Sequence, residues 1–103
     1  LWAWPRIDPA TEVEGPRAAT LVSGPLCLNI DVLSPDAPLP ELRAGDLLVA
    51  RDVGAYQQAQ STQFGDLRPA VVARDGGTWR QHRRREELSD LIISDREEPS
   101  WSA

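Results

Sequence analysis

Three side chains able to do chemistry occur as an ordered set. Cys27, the only cysteine, lies in Gly24-Pro25-Leu26-Cys27-Leu28-Asn29-Ile30-Asp31-Val32-Leu33; Ala44-Gly45-Asp46-Leu47-Leu48-Val49 and Gly54-Ala55-Tyr56 follow. A thiol, with an ordinary pKa of about 8.5, can hold and deliver a proton near neutral pH or act as a nucleophile. Asp31 adds a carboxylate four residues on, and Tyr56 is the only phenol. All eleven basic residues are arginine, so the chain has no side-chain amine to bind a carbonyl compound covalently. The set therefore reads as part of an active site whose other parts lie elsewhere. Each residue also has a plainer reading. Cys27 could be a small buried hydrophobe. Tyr56 could be a half-buried tyrosine with a satisfied hydroxyl. Asp31 could be a turn aspartate accepting backbone hydrogen bonds.

The elements that must position these groups are short. Nine prolines and seven glycines in 103 residues predict many turns. The expected fold is all-β, an antiparallel β-barrel or sandwich with one or two short helices. Residues 1–17 read as a connecting segment, polar and proline-punctuated from Asp8 to Arg17, with Leu1-Trp2-Ala3-Trp4 as an edge strand or the end of a connection. Residues 18–23 form a strand that runs into the Cys27 loop. Residues 34–40, with three prolines, read as turns, and Gly45-Asp46 as a turn before a strand at 47–53, partly buried on both faces. Gly54-Ala55-Tyr56 breaks that strand, and a short helix over 57–63 follows. Asp75-Gly76-Gly77 between two strand-like runs predicts a hairpin. Leu88, Leu91 and Ile92 form the stripe of a helix over 85–92. Residues 18–94 thus make the β domain and 95–103 a frayed tail.

Composition sets limits. The length suits one domain. A net charge of −5 argues against a nucleic-acid binder. The run from Arg80 to Arg85 passes straight into Glu86-Glu87 and reads as a solvated face, with His82 on the surface. The four tryptophans read as core or interface packing. One cysteine allows no internal disulfide, no metal-ligand set is read, and no apolar run approaches membrane-spanning length; a reducing cytoplasm and no membrane are expected. The chain has no methionine, even at position 1, so it is expected to be a piece of a longer or processed polypeptide.

Gly24-Pro25-Leu26-Cys27 with Asp31 resembles the cysteine loop of the fold-type III pyridoxal-phosphate decarboxylases, the diaminopimelate, ornithine and arginine enzymes. Leu39-Pro40, Gly45-Asp46-Leu47-Leu48 and Gly54-Ala55-Tyr56 are similar to that family's next motifs, in the same order. Arg83-Arg84-Arg85-Glu86 with Asp90-Leu91 resembles the run closing its C-terminal domain, so the similarity extends from Ser23 to Ile92. The resemblance implies a C-terminal β domain that completes a site whose lysine, on an N-terminal (β/α)8 barrel, holds pyridoxal 5'-phosphate covalently. It implies a homodimer with sites at the interface, acting on a small amino acid. Cys27 would supply the proton that replaces CO2. Tyr56 would bind the cofactor phosphate of its own subunit. Asp31 would lie at the interface near the opposite barrel. The chain alone would be inactive.

Two departures stand out. The diaminopimelate and ornithine enzymes have an acidic residue after the cysteine, which meets the distal amine of the substrate; here it is Leu28. Leucine leaves a buried distal ammonium uncompensated, which argues against those two substrates. Phe64-Gly65 stands where the family has an aromatic residue and asparagine. Two other functions compete: a stand-alone β module that binds a protein partner, and a domain of an alanine-racemase-like isomerase. The Gly-Pro-Leu-Cys loop argues against the second.

Overall fold

The computed structural model describes residues 3–95, in two units that divide between Gly65 and Asp66. The first unit contains β1 (Ile7–Pro9), β2 (Ala18–Ser23), β3 (Val32–Leu39), β4 (Leu48–Ala50) and α1 (Gly54–Gln60). The second contains β5 (Val71–Asp75), β6 (Thr78–Arg83) and α2 (Leu88–Leu91). The described residues are mostly strand and connection with two short helices, matching the expected class. The strands pair antiparallel as three two-stranded sheets, β1–β4, β2–β3 and β5–β6, and do not close into a barrel.

The core of the first unit is small. Ile7, Ala37 and Leu39 are buried, and Val22, Leu33, Leu42, Leu48 and Ala50 pack around them. Ala37 and Leu39 point inward from β3 while Asp36 and Pro38 point out, the two-residue period of a half-buried strand. This corrects the reading of 34–40 as turns. A strand in a two-stranded sheet needs only alternate amides for pairing, so proline can be accommodated. Pro35 falls in the register shift between the Thr20–Ala37 and Val22–Ser34 pairs, and Pro38 takes an exposed position opposite Ala19.

The Asp8–Arg17 segment also differs from expectation at its start. Ile7, Asp8 and Pro9 pair with Ala50, Val49 and Leu48. One oxygen of the Asp8 carboxylate is 2.9 Å from the Nε of both Arg51 and Arg6. The Arg51 hydrogen bond is the main cause of an Asp8 pKa below the usual carboxylate range, with Arg6 adding to it. β4 is shorter than expected and half-buried on one face only. Asp52 follows at φ +57°, a left-handed conformation that ends an extended run. The chain then enters α1 at Gly54, three residues earlier than the helix expected from 57. Leu1 and Trp2 of the expected opening strand, and 96–103 of the expected tail, lie outside the described residues.

In the second unit, β5 and β6 form the expected hairpin. Gly76 and Gly77 take φ +54° and +93°, the pair of positive values required by a two-residue type I′ loop. The Arg74 guanidinium lies 5.7 Å from the Trp79 ring centre, a cation–π contact across the strands. His82 is exposed on β6, as expected. The helix read over 85–92 is one turn, α2, closed by a reciprocal capping box between Glu87 and Asp90. Arg84 grips Asp90 with two bonds of 2.7 Å. That grip, and secondly the Glu87 amide, hold the Asp90 pKa at about 2. Among the described residues of this unit none is buried, so local turns and ion pairs carry its order.

Candidate active site

β2 ends at Ser23, and the chain loops out through residues 24–31 before returning as β3. The loop is closed at its base by Gly24 N–H donating to the Asp31 carbonyl at 2.8 Å. Inside it, Asp31 N–H donates to the Leu28 carbonyl at 3.2 Å and Val32 N–H to the Ile30 carbonyl at 2.9 Å. The Asp31 carboxylate turns back into the loop and accepts the Leu26 N–H at 2.9 Å. Gly24 faces that carboxylate so closely that any side chain there would overlap it. This gives the Gly-Pro start of the motif a steric reason. Asp31 therefore does what a turn aspartate does, bracing the backbone that carries the thiol.

Cys27 is exposed at this loop, not sealed in the interior. Its N–H donates to the Phe64 carbonyl at 2.9 Å, binding the loop to the segment beyond α1. Leu28 is half-buried, and Ile30 is 80% exposed. Tyr56 sits on a separate element, in the first turn of α1, and is 72% exposed. The structure thus gathers Cys27, Leu28 and Asp31 in one loop and puts Tyr56 on a helix of the same unit. Asp46 is a turn residue, its carboxylate accepting Arg43 N–H at 2.7 Å. A hollow of about 330 Å³ lined by Glu12, Val13, Glu14, Glu41, Arg43 and Asp46 includes none of these candidates.

Phe64 and Gly65 are the neighbours of Cys27 that sequence reading did not assign to the site. Their only signal is the departure at Gly65 from the aromatic-asparagine pair.

Residues 2–54 match the model of the pyridoxal-dependent decarboxylase C-terminal sheet domain. The chain belongs to the pyridoxal-dependent decarboxylase family. The matched region of this decarboxylase domain includes Cys27, Leu28 and Asp31 and stops two residues short of Tyr56. Diaminopimelate decarboxylase of Archaeoglobus fulgidus is 39% identical over 87 residues, 84% of this chain and 20% of that protein. The enzyme of the same name from Actinosynnema pretiosum subsp. auranticum is 44% identical over 80 residues, 76% of this chain and 18% of that protein. A crystal structure of diaminopimelate decarboxylase superposes with a TM-score of 0.74 at 29% identity, covering 90% of this chain and 25% of that one. The decarboxylase domain thus spans about a fifth of the length of the curated relatives it matches. Among the described residues no helix is long and apolar enough to cross a membrane.

Proposed function

We propose that this domain completes the active site of a pyridoxal-phosphate-dependent amino-acid decarboxylase and that Cys27 is its proton donor. The observation that carries the reading is the exposed thiol, held on a loop braced by Asp31 and by the Phe64 carbonyl, in a chain of this family.

The residues present suit a shared site. No lysine occurs in the chain, so covalent attachment of the cofactor falls to the rest of the polypeptide, on a (β/α)8 barrel. When bound, pyridoxal phosphate would supply the electron sink that lets the α-carboxylate leave as CO2. This chain's part is to hold and deliver a proton. The Cys27 thiol carries that proton to the carbon that has lost CO2, and the braced loop limits the directions from which it arrives. The Tyr56 hydroxyl, exposed on α1, hydrogen-bonds the cofactor phosphate. In the homodimer this reading entails, Cys27 and Asp31 serve the partner subunit's site and Tyr56 its own. A cytoplasmic location accords with a lone free thiol.

Leu28 bears on the substrate. The two relatives described above are named diaminopimelate decarboxylases, and that substrate carries a second ammonium group, beside a carboxylate, at its distal end. A half-buried leucine beside the proton donor offers that ammonium no partner. Leu28 thus argues for a small amino acid other than diaminopimelate or ornithine.

The test uses the complete polypeptide. Cys27→Ala is expected to lower the steady-state rate of amine product formation by about 10²-fold or more, the range for loss of a general acid. The isolated 103-residue chain supplied with pyridoxal phosphate is expected to release no CO2. Wild-type turnover by Cys27→Ala, or turnover by the isolated chain, contradicts the reading.

A further inference from the structure

From the packing at the cysteine loop we infer that Gly65 is a positioning residue for the Cys27 thiol. The inference rests on Cys27 being the proton donor and names what aims it. Gly65 N–H donates to the Gln63 carbonyl at 2.8 Å, a tight turn that presents the Phe64 carbonyl to Cys27 N–H at 2.9 Å. Gly65 itself then passes directly behind the cysteine. A methyl group built on Gly65 would lie 3.1 Å from Cys27 N and 3.3 Å from Cys27 Cβ. Those atoms set where the sulfur hangs. Contacts that short are closer than ordinary van der Waals separation, so with a side chain at 65 the cysteine backbone must give by a few tenths of an ångström. Gly65 also sits at φ +105°, where a residue with a Cβ is strained. The lack of a side chain at 65 thus lets two segments, separated in the sequence by β3, β4 and α1, close on each other at the exposed Cys27.

A misplacement of this size at a proton donor slows the chemical step and leaves ground-state binding intact. In the complete enzyme, Gly65→Ala is expected to lower kcat by about 5- to 10-fold, with KM within about 2-fold of wild type. A second readout needs no turnover. The rate at which iodoacetamide alkylates Cys27, followed by mass spectrometry on the tryptic peptide of residues 18–43, is expected to change by about 3-fold or more. The third is a double-mutant cycle: in a Cys27→Ala background, Gly65→Ala is expected to cost no further activity. Should Gly65→Ala not accumulate as folded protein, Gly65→Ser serves, because it places the same Cβ against Cys27.

Equal proportional losses with and without the Cys27 thiol, or an unchanged alkylation rate, overturn the inference by making Gly65 merely structural. An inactive Cys27→Ala beside a Gly65→Ala with wild-type kcat and alkylation removes the positioning role alone. Wild-type kcat in Cys27→Ala removes the proton-donor reading and the positioning role with it.

Discussion

Replacing Asp31 with alanine tests the brace on which the candidate site depends. The bond from Leu26 N–H to the Asp31 carboxylate is 2.9 Å long and partly buried. A hydrogen bond to a charged acceptor contributes about 1.5–3 kcal/mol. Its loss raises the population of the opened loop by about one to two powers of ten, since ~1.4 kcal/mol corresponds to one decade. The Leu26 amide should then exchange with solvent about 10- to 100-fold faster in Asp31→Ala, read by hydrogen exchange and mass spectrometry of the loop peptide in the complete protein. Asp31→Asn keeps a neutral acceptor, of about half the strength, and should fall between. Gly24 sharpens the test. In the wild type Gly24→Ala collides with the carboxylate, whereas in the Asp31→Ala background that collision is gone. The two substitutions should therefore be non-additive, the loop opening less in the double variant than the sum of the singles requires. Leu26 exchange unchanged in Asp31→Ala, or strict additivity with Gly24→Ala, would refute the reasoning.

Further outcomes follow from other sites. Leu39 is 1% exposed in a core of three buried apolar residues, so Leu39→Ala should cost about 2–5 kcal/mol in chemical denaturation; a loss under about 1 kcal/mol would show that the core lies elsewhere. The Asp90 pKa is depressed from 3.8 to about 2, so its contribution is complete above the unfolded value and disappears as pH falls through the folded one. Order at α2 should therefore fade between about pH 4 and pH 2, and an NMR titration of the Asp90 carboxyl with a midpoint near the ordinary value would contradict the Arg84 grip. Leu28→Glu in the complete enzyme should raise the kcat/KM ratio of a diamino acid over an amino acid with an uncharged end; no change in that ratio would dissociate Leu28 from specificity.

The family was legible from residue types and their order. The cysteine loop, its aspartate and the following Gly-Asp pair lie within the residues that the family model matches, which end at Gly54, before Ala55 and Tyr56. The hairpin was legible because Gly76-Gly77 supplies the two positive φ angles locally. The strand at β3 was not, because Pro35 and Pro38 look like turn residues unless the register showing where they fall is known. The three-residue β1 has Ile7 as its single strong apolar residue, too little to form a pattern.

What the chain determined by itself was chemical: one thiol, one phenol and no lysine, set in an order similar to that of a known family's motifs. What only the tertiary structure decided was proximity. Gly65 behind Cys27, Asp8 between Arg6 and Arg51, and β1 against β4 are meetings of segments far apart in the chain. Propensity and periodicity act over a few residues. Such meetings instead follow from burying Ile7, Ala37 and Leu39 together while pairing the backbone groups around them.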